Sequence, residues 1–273
     1  FSYVASYTIT QPLVRLSGFT RRLVEGGFAD DIRVDAGLFP DGNQTQAETA
    51  ILAYDFDRMQ ANLAGHIEQL QLTQSARERA ESELRIAGQI QATFLPGPFD
   101  PADGGGRLDL QAVMKTAKQA GGDLFDYLAL DEAHVFFAIG DVSGKGMPAA
   151  MFMSAVVVLL RSAALRLRDP ADILRRVNDD LALRNESCTF VTLFAGILDV
   201  RTGEILVANG GHNAPRRRMA DGAVAAVPVQ TNMVVGALPG QAFVRETLVL
   251  QPGEALVLYT DGVTEALAPD GSF

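Results

Sequence analysis

Residues His134–Met151 read HVFFAIGDVSGKGMPAAM. The apolar run Val135–Ile139 has the β-branched and aromatic content of a strand. It ends at Gly140-Asp141, and a second apolar stretch starts at Met147-Pro148, where Pro suits the first turn of a helix. A strand that delivers a carboxylate into a Gly-rich turn and then a helix sets the theme for the rest of the chain. Two more stretches repeat it: GGDLFD at Gly121–Asp126, and YTDGVTEA at Tyr259–Ala266 after the apolar run Ala255–Tyr259. Gly lets the backbone turn sharply and approach a ligand closely. Carboxylates at several strand ends can converge although they are far apart in sequence. With no Cys or His among them, they suit a hard divalent cation such as Mg²⁺ or Mn²⁺. Taken singly, each motif is also an ordinary Asp-Gly turn of a β protein.

Outward from these motifs, the coarse pattern is α+β. Apolar runs predict strands over Leu108–Lys115, Phe125–Leu130, His134–Ile139, Phe190–Leu198, Ile205–Gly210, Val244–Leu250 and Ala255–Tyr259. Helices are predicted over Pro148–Leu167 and Pro170–Leu183, the first apolar on nearly every face and so packed against a sheet. Ahead of this region, Thr10–Gln74 reads as a separate helical module. Leu13, Leu16, Leu23 and Val24 recur at helical spacing, Gly26-Gly27 ends that helix, and Phe28–Gln46 reads as a connector. A second helix from about Ala47 carries Leu52, Phe56, Met59, Leu63, Ile67 and Leu70 at three-four spacing. It continues without a breaker through Leu72–Phe94. There Thr73, Arg77, Ala80, Leu84, Ala87, Gln91 and Phe94 keep a heptad register with a polar seam. Such a seam suits either a solvated spacer or a coil balanced between two arrangements. Pro96–Pro101 ends the helix.

Composition narrows the function. The 273 residues are 48% hydrophobic, enough for one large domain and a smaller element, with a net charge of −10 and pI near 4.8. The acidity and the lack of a basic stripe argue against nucleic acid as a partner. The single cysteine, Cys188, forms no internal disulfide and reads as a small hydrophobe beside a core strand. No run reaches the ~20 apolar residues of a membrane span. The opening FSYVASYTI nonetheless has the apolar, aromatic character of the interfacial end of one.

Residues Gln89–Ser272 resemble the SpoIIE/RsbU-like branch of the metal-dependent (PPM) protein phosphatases. The three acidic motifs carry the resemblance together with IQATFLP (Ile90–Pro96), VNDDL (Val177–Leu181), FVTLFAGILD (Phe190–Asp199) and NGGHNAP (Asn209–Pro215). It implies two antiparallel sheets packed face to face as a β-sandwich with flanking helices. It also implies two Mn²⁺ or Mg²⁺ ions, which activate water and neutralise charge on the phosphoryl group. By resemblance, Asp141 bridges both ions, the Val142 carbonyl is a further ligand, and Asp123 and Asp261 each serve one ion. Asp126, Gly122 and Gly262 support them from behind. The family continues past its TDG motif to a last strand ending in an Asp pair, whereas this chain stops at Phe273. The PPM-type phosphatase domain, 97–273, is therefore expected to be C-terminally incomplete. His212 is expected to fix a loop, and Arg216-Arg217-Arg218 to form a solvated strand face or to contact phosphate.

The helical module resembles a HAMP domain, with Glu48, Phe56 and Met59 at expected positions and Thr49-Ala50 in place of the usual Ile-Gly. The implied order is the end of a transmembrane helix (1–9), a HAMP domain (10–71) and a signalling coiled-coil helix (72–96). The implied assembly is a homodimer through the HAMP domain and coiled coil, held by an N-terminal span to the cytoplasmic face of the bacterial cell membrane. The expected substrate is a phosphorylated regulatory protein, by family analogy a STAS-type anti-sigma-factor antagonist. Ile90, Phe94 and Leu95, at the junction, are expected to pass the signal by packing against the helix that starts at Pro148. Other readings fare differently. A phosphate-binding loop fails, because three residues separate Gly140 from Gly144-Lys145 where four are needed. A HAMP-linked nucleotide cyclase would leave YTDGVTEA unexplained. A catalytically silent pseudophosphatase scaffold stays open.

Overall fold

The computed structural model describes residues 44–115, 121–183 and 185–266. The chain divides into two units, Phe1–Ala80 and Glu81–Phe273. The expected transmembrane end and the HAMP segment up to residue 43 lie outside the described residues. Helix α1 (Gln44–Ala92) runs without a break as the sequence predicts. Within the first unit, Met59, Leu63, Ile67 and Leu70 of the expected stripe are exposed to solvent.

In the second unit, α1 ends where the Thr93 and Phe94 amides donate to the Ile90 and Gln91 carbonyls, at 3.0 Å each. A 3₁₀ turn (Pro101–Gly104) follows, capped by the Asp100 carboxylate, which accepts from the Ala102 amide at 2.9 Å. The predicted strand Leu108–Lys115 has no regular secondary structure and no ladder partner among the described residues.

A large sheet comes next. β1 (Asp123–Ala129), β2 (His134–Val142), β3 (Val191–Asp199) and β4 (Glu204–Gly210) pair antiparallel in that order. A small sheet of three strands, β5 (Arg216–Arg218), β6 (Val224–Ala226) and β9 (Ala255–Val257), is ordered β6-β5-β9. The short β7 (Thr231–Asn232) joins β4 in parallel and an isolated parallel bridge links Leu193 to Gly211, both departures from the antiparallel pattern expected, while β8 (Glu246–Val249) joins β4 antiparallel. Because side chains alternate across a strand, the large sheet feeds two cores. Leu124, Phe136, Ala138, Val142, Leu193, Ala195 and Ile197 point to the helical side. Phe194, Leu198, Ile205 and Val207 point the other way and meet Val229, Leu256 and Leu258. The expected α+β sandwich is therefore present, with helices on the outer face of the large sheet.

Helix α2 (Met147–Ala164) buries Met153, Val156, Val157 and Leu160, each side chain contributing about 1.5–3 kcal/mol, together with Ala164. Its opposite face is open, with Met151 68% and Val158 52% exposed. It is the sheet-packed helix that its composition predicts, with one face in the core. Helix α3 (Pro170–Ala182) starts with Asp169, whose carboxylate accepts from the Ala171 amide at 2.9 Å, and Pro170 fills the first turn. It buries Ile173, Leu174, Val177 and Leu181.

Candidate metal centre

Asp123 opens β1, and Asp141 lies directly opposite it on β2. Asp141 is therefore inside a strand and not in the turn beyond it, as the sequence suggested. Leu124 and Val142 enter the helical core, so the two aspartates stand on the face turned toward the small sheet. From that sheet, β9 runs through Leu258–Thr260 into the four-residue helix α4 (Asp261–Thr264), which Asp261 begins. The three aspartates of the three motifs are thus brought together at one end of the sandwich.

Electrostatics registers the convergence. Burial, then the charges of Asp123 and Asp261, push the Asp141 carboxyl up from 3.8 to about 6, with partial relief from the Val142 amide and Lys145. Asp123 is also raised, chiefly by burial and further by Asp261, against a lowering hydrogen bond from Thr260. Like charges held this close disfavour one another's ionisation. A divalent cation reverses that penalty.

Backbone shape adds a second observation. A Cβ placed on Gly122 would lie 2.6 Å from the Val142 carbonyl oxygen and 2.9 Å from Asp141 Oδ1. The Gly122 backbone thus leaves open a cradle into which the Val142 carbonyl and the Asp141 carboxylate both face. Among the described residues no group of three or more His, Cys, Asp or Glu side chains is arranged to hold an ion by itself. Mg²⁺-type sites do not require one, since they use one or two carboxylates, carbonyl oxygens and retained water. Asp123, Asp141, the Val142 carbonyl and Asp261 therefore fit a hard divalent cation.

Other predicted site residues fall elsewhere. Asp126 sits three residues beyond Asp123, an odd spacing that turns it to the opposite face of β1. There both carboxylate oxygens accept from Arg161 of α2 at 2.8 Å, and the Asp126 side chain is fully buried. Its role is to fasten α2 to the sheet, not to orient ligands in the site. Gly262 lies in α4, and an added Cβ would meet only Thr260 Oγ1 at 3.9 Å, so the fold does not demand glycine there. At the junction, Phe94 and Leu95 pack on the helical core, whereas Ile90 is 55% exposed. Of the arginine run, Arg217 is ion-paired with Glu254, and Arg216 and Arg218 face solvent.

Several working residues escaped the sequence reading. Gln91 is not a seam residue: it is buried, its Nε2 donates to the Gly121 carbonyl at 2.6 Å, and its Oε1 accepts from the Gly121 amide at 3.2 Å. It therefore holds the backbone next to Gly122. Thr192 is opposite Asp141 on β3, and its hydroxyl lies 2.9 Å from His212 Nδ1. In VNDDL, Asn178 accepts from the Gly236 amide and donates to the Leu238 carbonyl, both at 2.9 Å, while Asp179 accepts from the Gly240 amide at 2.8 Å. Those polar residues anchor a loop beside the core.

Comparisons with known proteins bear on the family and the fold. Protein IcfG of Synechocystis is 27% identical over 300 residues, spanning 100% of this chain and 45% of its own length. Phosphoserine phosphatase RsbU of Bacillus subtilis is 26% identical over 201 residues, spanning 74% of this chain and 59% of its own. The chain thus spans about half the length of the curated relatives it matches. The solved RsbU and RsbW domains of a Mycobacterium tuberculosis protein align with a TM-score of 0.50 at 32% identity, covering 57% of this chain and 42% of that one. The SiaA PP2C domain of Pseudomonas aeruginosa aligns with a TM-score of 0.59 at 20% identity, covering 72% of this chain and 78% of that one, and shares the fold. The family description Stage II sporulation protein E (SpoIIE) matches residues 131–273, more than half of the sequence, and the chain belongs to that family.

Proposed function

We propose that the chain is the catalytic part of a metal-dependent signalling phosphatase acting on phosphoserine or phosphothreonine of a bacterial regulatory protein. The observation that carries this reading is the convergence of Asp123, Asp141 and Asp261 on the cradle formed at Gly122 and the Val142 carbonyl. Two Mn²⁺ or Mg²⁺ ions held there would supply an activated water and charge neutralisation for phosphoryl transfer. The protein's own part is to keep three carboxylates ionised and oriented at one end of the sandwich. Asp141 is held between its neighbours on β1 and β3, and Thr260 steadies Asp123. Lys145 stands close enough to offset part of the local negative charge.

RsbU is by name a phosphoserine phosphatase, which supports phosphoserine as the group acted on; a regulatory protein of the STAS type as its carrier follows by family analogy. The exposed stripe Met59, Leu63, Ile67 and Leu70 supports a parallel homodimer through residues 10–71 and the helix 72–96. The apolar start of the chain supports an anchor at the cytoplasmic face of the membrane. Phe94 and Leu95, joined by Gln91, then carry the signal from helix to site. The test is phosphate release from a phosphoserine protein and from an aryl phosphate by the full-length protein in Mn²⁺. Turnover that stops in chelator is expected. Metal binding without turnover on either substrate would instead make the protein a pseudophosphatase scaffold.

A further inference from the structure

His212 is buried at the end of the NGGHNAP loop, between the two sheets of the sandwich. Its loop is closed on itself: the Asn209 amide donates to the His212 carbonyl at 2.9 Å, and the His212 amide donates to Asn209 Oδ1 at 2.8 Å. The ring is therefore held by its own backbone and is free to act on its neighbours. On one side, Nδ1 is 2.9 Å from the hydroxyl of Thr192, which also reaches the Asp141 carbonyl at 3.4 Å. On the other side, the ring feels the Tyr259 carbonyl and Asp261. Its Nε2 is buried and has no hydrogen bond of good geometry, the one such buried side-chain atom among the described residues.

We propose that His212 is a positioning residue that ties the Asp141 side of the metal centre, through Thr192, to the Tyr259–Asp261 segment of the small sheet. The inference rests on the metal-dependent reading of this site. Hydrogen-bond bookkeeping fixes the relay. Thr192 has one hydroxyl proton, and reaching the Asp141 carbonyl spends it. The 2.9 Å contact with His212 is then Nδ1–H donating to Oγ1, and Nε2 is the bare nitrogen, in keeping with its lack of a partner. Burial keeps the ring neutral, down to about 4 against the pull of Tyr259 and Asp261. The ring thus holds the Thr192 hydroxyl on the Asp141 backbone, while its other edge stands near the Tyr259–Asp261 segment.

The experiment is Mn²⁺ titration calorimetry on the full-length protein, with thermal unfolding in chelator as the control. His212→Ala removes both contacts and should weaken Mn²⁺ binding by about 10–100-fold, the usual effect of losing a group that orients metal ligands. His212→Asn can place an amide N–H near the Nδ1 position to donate to Thr192, and should recover most of that affinity. His212→Gln, whose amide reaches past Thr192, should not. Thr192→Val should weaken binding comparably, and the double variant should be no worse than His212→Ala alone. The inference is overturned if His212→Ala binds Mn²⁺ as the wild type does. It is equally overturned if Gln, Asn and Ala lose affinity alike and in step with their melting temperatures. A wild-type protein that binds no Mn²⁺ would overturn the phosphatase reading itself, an outcome distinct from both.

Discussion

Replacing Asp141 by Asn should stabilise the metal-free protein while destroying its response to metal. In the folded state the Asp141 carboxyl titrates at about 6, against an ordinary 3.8, because of burial first and the charges of Asp123 and Asp261 next. The folded state thus holds the proton more tightly than the unfolded chain does. The contribution of Asp141 to stability is therefore fully present below pH 3.8 and is lost as pH rises through about 6, leaving the full penalty in place at neutral pH. At about 1.4 kcal/mol per pH unit the gap corresponds to about 3 kcal/mol. The side chain is only half-buried, and solvent screening reduces this to about 1–2 kcal/mol. Asn keeps the shape and can still accept from the Val142 amide but carries no charge. For a unit of this size, about 2–4 °C per kcal/mol translates the gain into about 2–8 °C. The assay is thermal unfolding of wild type and Asp141→Asn in chelator at pH 7.5 and at pH 4, then with added Mn²⁺. Asn should melt higher at pH 7.5, the difference should shrink at pH 4, and Mn²⁺ should raise only the wild type. An Asn variant that melts lower in chelator at pH 7.5, or that Mn²⁺ stabilises as much as it does the wild type, would refute the reasoning.

Three further outcomes are expected. Gly122→Ala drives a methyl to 2.6 Å from the Val142 carbonyl oxygen, where backbone must shift. It should cost about 1–3 kcal/mol in denaturant unfolding and abolish Mn²⁺ binding, while Gly262→Ala, with open space around it, should leave both unchanged. Gln91→Ala removes both hydrogen bonds that hold Gly121. Turnover and apparent Mn²⁺ affinity should change together, and a variant with neither altered would reduce the helix end to a tether. Leu63→Cys and Ile67→Cys, on the exposed stripe of α1, should each form same-residue disulfides between chains under mild oxidation, and cross-linking only in mixed pairs would exclude a parallel dimer.

What could be read in advance divides along physical lines. Gly-Asp pairs at the ends of apolar runs give Asp123, Asp141 and Asp261 away, because a strand end is where a carboxylate can leave the core and meet others. The α+β class follows from short apolar runs interrupted by two helices, whereas the face-to-face sandwich is what the family resemblance implies. Period-two alternation should have reassigned Asp126, since an offset of three along a strand puts it on the face away from Asp123, and its partner Arg161 lies 35 residues on. Leu108–Lys115 shows that alternation does not report the presence of a neighbour to pair with. Gln91 and His212 were harder. Each makes its decisive contact with a residue 20–30 positions away, and only the folded register brings those together. Heptad spacing at Gln91 says that a face is covered, not whether a second helix or a glycine loop covers it.

The most direct test of the account is the number of divalent ions bound by the full-length protein. Calorimetric titration with Mn²⁺ at neutral pH should give two ions per chain in the wild type. Asp123→Asn or Asp261→Asn should lose one of them, and Asp141→Asn should lose both, since by resemblance it is the carboxylate shared by the two ions. A wild type that takes up no Mn²⁺, or an Asp141→Asn variant that still binds two ions with unchanged affinity, would contradict a metal centre at the end of this sandwich.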